Sequence, residues 1–168
     1  RPLHNLDLRL ILLPDGRVVA AGGGRLSPPV IDYQTAEVFS PPYLFRGPRP
    51  VITSVPATIS YGGAFTVKTP QAAQIGAIAL VAPASVTHAQ NTEQRYVPLA
   101  FSPSPSDPQA LVVQGPADGS VAPPGYYMLF IVDVAGIPSV AAFVQSVPPP
   151  PPGPTWVLTQ PSVGGICN

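Results

Sequence analysis

The stretch that decides the fold is PPGYYMLFIVDVAGIPSVAAFV, residues 123–144. Residues 126–134 are dense in aromatic and β-branched side chains, and Ala135-Gly136 interrupts them before a second apolar run, the pattern of two strands joined by a tight turn. Side chains alternate along a strand, so Leu129, Ile131 and Tyr127 are predicted on one face and Tyr126, Met128, Phe130 and Val132 on the other. Both sets are apolar. A strand buried on both faces lies inside a sandwich or beneath another module, so the rest of the domain is predicted to be built over this hairpin.

Working outward, short apolar runs separated by turn residues recur on both sides. Residues 8–13 read as a strand closed by the Pro14-Asp15-Gly16 turn, with residues 17–21 returning as its hairpin partner. The following Gly22-Gly23-Gly24 is a poor phosphate cradle, because no helix start or Lys-Ser pair follows it; a close backbone approach or a bulge is the expected use. Residues 36–40 form a third strand, 41–45 leave it in extended form, and 46–50 (RGPRP) read as a linker. Beyond it, strands are predicted at 51–55, 58–61, 64–68, 76–82, 96–102 and 110–114, with Gly62-Gly63 as a turn and 102–108 (SPSPSDP) as a polar loop. Seven or so strands at this spacing predict an antiparallel sandwich of about 100 residues.

Composition agrees. The chain has 168 residues, with 26 prolines and 15 glycines, which excludes a helical bundle, while 45% hydrophobic residues exclude a disordered chain. With 10% charged residues and zero formal net charge, there is no electrostatic footprint for nucleic acid or an anionic membrane. The cations are scattered arginines apart from Lys68, and read as solvated or locally paired. No apolar run is long enough to span a bilayer. Arg1 opens the chain without a methionine or a leader, so a processed product or a part of a longer protein is expected. The single cysteine, Cys167, is either a free thiol or one half of a link to another chain.

Past residue 147 comes Pro148 to Pro152, expected to form a polyproline II rod, and then TWVLT (155–159), which reads as a strand again. A lone apolar strand beyond a stiff spacer either folds back or pairs with a neighbour.

Five separated pieces resemble one family in order and spacing: LLPDGRVVAAGGG (12–24), AEVFSPPYLF (36–45), RPVITSVPATISYGGAFTV (49–67), VTHAQNTEQRYVPL (86–99) and PPGYYMLFIVDVAGIPSVA (123–141). Together they look like the C-terminal part of galactose oxidase and glyoxal oxidase, the copper-radical oxidases. The resemblance implies an all-β chain in three parts. Residues 1–48 would correspond to the last blade of a kelch-type propeller, 49–147 to an immunoglobulin-like early-set sandwich, and 148–168 to a polyproline spacer with a terminal strand. In that family two histidines, a tyrosine and a cysteine-crosslinked tyrosine hold copper. His88 matches the histidine on the early-set loop, and a neutral imidazole suits copper. The family's Tyr-His pair, however, falls on Leu6-Asp7 here, with His4 three residues out of register. Asn91, Glu93, Gln94 and Arg95 are expected to shape the His88 loop, with Glu93 and Arg95 as polar partners.

One matched ligand predicts no catalytic residue and no cofactor in this chain, with copper bound only if the site were completed elsewhere. The expectation is therefore a non-catalytic, extracellular structural subunit. Its partners would be copies of itself, joined head to tail by strand addition into filaments, or a missing propeller domain. Thr155, Trp156, Val157, Leu158, Thr159 and Cys167 are the candidate assembly residues. Ser102, Pro103, Ser104, Pro105 and Ser106, with Pro148, Pro149, Pro150, Pro151 and Pro152, resemble hydroxyproline O-glycosylation modules of plant and algal wall proteins, so glycans are a further expected partner. The alternative is a fragment of a secreted copper-radical oxidase that converts an aldehyde or primary alcohol and releases hydrogen peroxide. A carbohydrate-binding role would use Trp156, Tyr126 and Tyr127 as stacking surfaces.

Overall fold

The computed structural model describes residues 9–22, 35–87, 90–93 and 95–149. The run around Tyr127 becomes β12 (Gly125–Asp133), and the apolar run after it becomes β13 (Ala142–Val147), paired antiparallel with Tyr127 opposite Val144. The turn between them closes on Asp133, whose Oδ1 accepts the N–H groups of Ala135 at 2.9 Å and Ile137 at 2.8 Å. Gly136 sits there at φ 78°, a conformation that favours glycine. Flanking strands are β4 (Thr58–Ser60), parallel to β13, and β6 (Ile75–Val81) and β9 (Tyr96–Leu99) on the other side. They make a five-stranded sheet in the order β4-β13-β12-β6-β9.

A second sheet, β10 (Phe101–Pro103), β11 (Ala110–Gln114) and β5 (Ala64–Lys68), lies across the core. Tyr127, Leu129, Ile131, Ile78, Leu80, Val97, Leu99 and Val144 from the first sheet meet Val67, Leu111 and Val113 from the second, all buried. This is the all-β, immunoglobulin-like sandwich the sequence predicts. Pro98 and Pro103 lie in the edge strands β9 and β10, where a missing N–H breaks no central ladder.

Ahead of the sandwich stand β1 (Arg9–Leu12), β2 (Val18–Ala21) and β3 (Ala36–Phe39), a three-stranded antiparallel sheet. Leu10, Val38 and Phe39 are more than half exposed on it.

Three local predictions are corrected. Residues 41–45 are not extended: only Pro41 is (φ −63°, ψ 153°), and Pro42 opens a 3-10 turn over Pro42–Phe45 because its ring pre-sets a helical φ. Residues 51–55 form no ladder strand; Ser54 makes an isolated bridge to Lys68, while Ile52 and Val55 pack against the core from an irregular segment. The run 96–102 is one strand in sequence but two in space, leaving the five-stranded sheet after Leu99 and entering the other at Phe101.

Candidate functional site

The first feature is a clasp between the N-terminal sheet and the sandwich. The Pro14-Asp15-Gly16 turn, with Gly16 at φ 81°, brings its carbonyls onto the sandwich surface. The Arg49 guanidinium donates to Asp15 O at 2.6 Å, Pro138 O at 2.8 Å and Ser139 O at 2.5 Å. Ala141 N–H donates to Pro14 O at 2.8 Å, and the Tyr43 hydroxyl to Gly16 O at 2.6 Å. Burial pushes the Tyr43 hydroxyl's pKa up, opposed in part by the Arg49 charge. Asp15 is held below the usual carboxylate range, chiefly by the Arg17 N–H it accepts. Residues 46–50 therefore contain an anchor, which the sequence reading of a plain linker and a solvated arginine missed. The available signal was Arg49's planar fork of donors beside carbonyl-rich turns.

The second feature is the outer face of the five-stranded sheet. Cross-strand register sets Phe143, Met128, Val81 and Tyr96 in one row and Phe130, Ala79 and Pro98 in the next. Met128, Phe130 and Ala79 are buried, whereas Tyr126, Tyr96 and Phe143 are 63%, 64% and 52% exposed. Part of this face is roofed by the clasped turn, leaving an apolar groove of about 300 Å³ between Leu12, Gly16 and Tyr43 above and Ala79, Val81 and Phe130 below. Of the two tyrosines proposed for stacking on sugars, Tyr127 is core, with its hydroxyl donated to Pro123 O at 2.9 Å. Only Tyr126 presents a ring to solvent.

The third feature is the hairpin of β7 (Val86–Thr87) and β8 (Gln90–Asn91), which lies against β1. Its base is built from polar contacts. Asn91 Oδ1 accepts Ser85 N–H at 3.3 Å and Glu93 N–H at 3.1 Å, and Thr92 donates to Ser85 O from both its N–H and its hydroxyl. Arg95 donates to Ser120 O and Val121 O, each at 2.9 Å. The loop it grips is closed by Asp118, which accepts from the Ser120 hydroxyl and N–H and from Val121 N–H. Asn91, Glu93 and Arg95 thus shape the hairpin base and line a cleft of about 330 Å³ facing Leu12.

His88, between the two hairpin arms in sequence, lies outside the described residues, as do Gln94, Pro150 to Pro152, Thr155 to Thr159 and Cys167. Of the glycosylation candidates, Ser102, Pro103, Pro105, Ser106, Pro148 and Pro149 are exposed and Ser104 is half-buried. Among the described residues no three His, Cys, Asp or Glu side chains cluster as a metal site. With His88 as the one matched ligand and Leu6-Asp7 at the family's Tyr-His positions, this chain's own donor set does not fit a copper centre.

Residues 49–146 match the family described as galactose oxidase-like, early set domain. A galactose oxidase from Gibberella zeae is 35% identical over 151 residues, covering 86% of this chain and 21% of the relative. An aldehyde oxidase from Vitis pseudoreticulata is 39% identical over 156 residues, covering 82% of this chain and 29% of the relative. Among solved structures, a fungal alcohol oxidase in complex with copper superposes with a TM-score of 0.73 at 32% identity, covering 83% of this chain and 30% of that one. The chain thus spans between a fifth and a third of the length of these relatives.

Proposed function

This chain belongs to the galactose oxidase-like early set family, as its C-terminal domain, and from that premise we propose that it is a non-catalytic structural module of a secreted, oxidase-type protein. Its work is to hold other β-structure. The observation that carries this reading is the N-terminal sheet: it is clasped to the sandwich through Arg49, yet leaves Leu10, Val38 and Phe39 exposed. Those side chains suit the neighbouring blades of a propeller, in which small sheets pack radially around a channel. The oxidase chemistry of the relatives would then need residues outside this chain, with His88 delivered by its hairpin as one contribution. The test is copper titration of the 168-residue chain with metal analysis and a peroxide assay on galactose, aldehydes and primary alcohols. The expected result is no stoichiometric copper and no peroxide. Stoichiometric copper with turnover refutes the reading.

A second reading, self-association by strand addition, is favoured by free sheet edges. β3, β4 and β5 are each terminal in their sheets, and terminal strands are templates for pairing with another chain. The exposure of Ser102, Ser106, Pro148 and Pro149 supports the companion proposal that the proline tracts carry O-linked sugars. Intact mass checks it: material of natural origin at the bare 17.4 kDa would rule sugars out.

A further inference from the structure

The groove between β4 and β5 is the largest on the sandwich, at about 610 Å³. It lies where the two sheets part, lined by Val55, Ile59 and Phe65 on apolar ground and by Thr58, Ser60 and Thr66 on polar ground. Both strands beside it are sheet edges. Which backbone groups face it follows from register. Lys68 exchanges hydrogen bonds with Thr53 and Ser54 on the groove side, while Gly63 O accepts Gly115 N–H and Thr69 N–H reaches Gln109 O on the opposite side. Backbone direction alternates along a strand, so the N–H and C=O groups of Ala64 and Thr66 point to the free edge. On β13, the residue paired with Ile59 is Ser146, whose buried hydroxyl has no partner among the described residues.

We propose that this groove receives the 155–159 segment of a second copy of the chain, added as a strand along the free edge of β5. The proposal rests on the self-association reading and gives it an acceptor site. Thr155, Val157 and Thr159 alternate with Trp156 and Leu158, so one face of the added strand is apolar enough to enter the gap over Val55, Ile59 and Phe65 while the threonines face water. Main-chain bonds to Ala64 and Thr66 supply pairing, and the alternate side chains supply selectivity, the usual division in strand addition.

The occupant comes from another copy because of where the tail leaves. β13 ends at Val147, opposite Ser60, at the upper end of the groove. Pro148 to Pro152, at about 3.1 Å per residue, carry the chain about 15 Å onward. Turning at Gly153, residues 154–158 retrace at most about 17 Å at about 3.4 Å each, which returns Leu158 only to the level of Ser60. Trp156 and Leu158 of the same chain cannot both reach the stretch beside Val55 and Phe65. Those of a neighbour can.

Trp156 is the single tryptophan, so intrinsic fluorescence reads the tail alone. The experiment follows emission and mass of the full chain over a concentration series, by fluorescence and light scattering. The expected result is a blue shift that rises in step with mass, and loss of both when a synthetic peptide of residues 154–160 is added in excess. Thr66→Pro removes an edge N–H without touching the β11 ladder, and Ala64→Lys places a charge on the exposed lip. Each should abolish the mass increase, with thermal melts confirming that at least one is folded, and Trp156→Ala should do so from the donor side. Solvent-exposed emission at every concentration overturns the proposal, as does a blue shift independent of concentration, which would mean docking within one chain. Assembly that survives both groove variants also overturns it, while leaving self-association through another edge such as β3 standing.

Discussion

Replacing Arg49 by alanine tests whether the N-terminal sheet is part of the sandwich or a passenger. The side chain is half-buried and donates three hydrogen bonds, to Asp15, Pro138 and Ser139 carbonyls, across 34, 89 and 90 residues of sequence. A hydrogen bond from a charged donor contributes about 1.5–3 kcal/mol when buried. Discounted for partial exposure to about 1 kcal/mol each, the three give about 3 kcal/mol, with Ser139 O left in a fully buried residue. At about 2–4 °C per kcal/mol for a chain of this size, Tm should fall by about 6–12 °C. Arg49→Lys should recover only part, about 1 kcal/mol, because an ammonium cannot span three carbonyls in a planar fork. Urea unfolding gives the total, and hydrogen exchange locates it: the Ala141 amide, bonded to Pro14 O, should lose protection before Leu80 and Leu129 in the core. A change below about 0.5 kcal/mol, the range of ordinary surface substitutions, would refute the clasp.

Gly115→Ala places a methyl 2.6 Å from Ser60 O and 2.8 Å from Gly63 O, both backbone, so a loss of about 1–3 kcal/mol is expected in denaturant melts. Adjacent tyrosines should behave oppositely: Tyr127→Ala, from the core, should cost about 3–5 kcal/mol, and Tyr126→Ser, exposed, under about 0.5 kcal/mol, as judged by thermal unfolding. Asp118 is held below the usual carboxylate range by the Ser120 hydroxyl first, then by the Ser120 and Val121 N–H groups. Because its folded pKa is depressed, its stabilising effect is complete above about pH 4 and is lost as pH falls through the lower folded value. The Ser120 and Val121 amide shifts should therefore titrate below pH 4 in NMR spectra, and Asp118→Asn should remove that titration.

The sandwich was legible because its central hairpin is unambiguous. Nothing but a strand buried on both faces accounts for Tyr126 to Val132, and the alternation placed Tyr127, Leu129 and Ile131 together in the core. What failed was set by partners rather than by local pattern. Ile52 and Val55 look like strand residues, but Pro50 and Pro56 bracket them, and they pack without a ladder. Residues 96–102 carry no break that announces the change of sheet at Ala100. Arg49 is one arginine among seven in the sequence, and only the fold shows which carbonyls converge on it. Of the site, His88 was found through resemblance, whereas the β4–β5 groove had no sequence signature, since it is made of what two edge strands leave unpaired.

The likeness to oxidases over residues 86–99 does not by itself imply copper chemistry. Asn91 closes the hairpin base, Thr92 grips Ser85 O twice, Arg95 locks the 118–122 loop, and Val97 and Leu99 are core. Each of these residues has a structural reason to be what it is, and each would persist in a chain that binds no metal. A redox centre asks for more, namely several donors of matched type converging on one point. The positions where the resemblance requires a phenolate and a second imidazole hold Leu6 and Asp7. Leucine offers no donor atom, so a neighbour that completed the site would have to replace a ligand as well as supply the missing ones. The residues that agree with the oxidases are those that build a hairpin and a sandwich, and those that disagree lie where the chemistry would be. That division is the one expected of a scaffold.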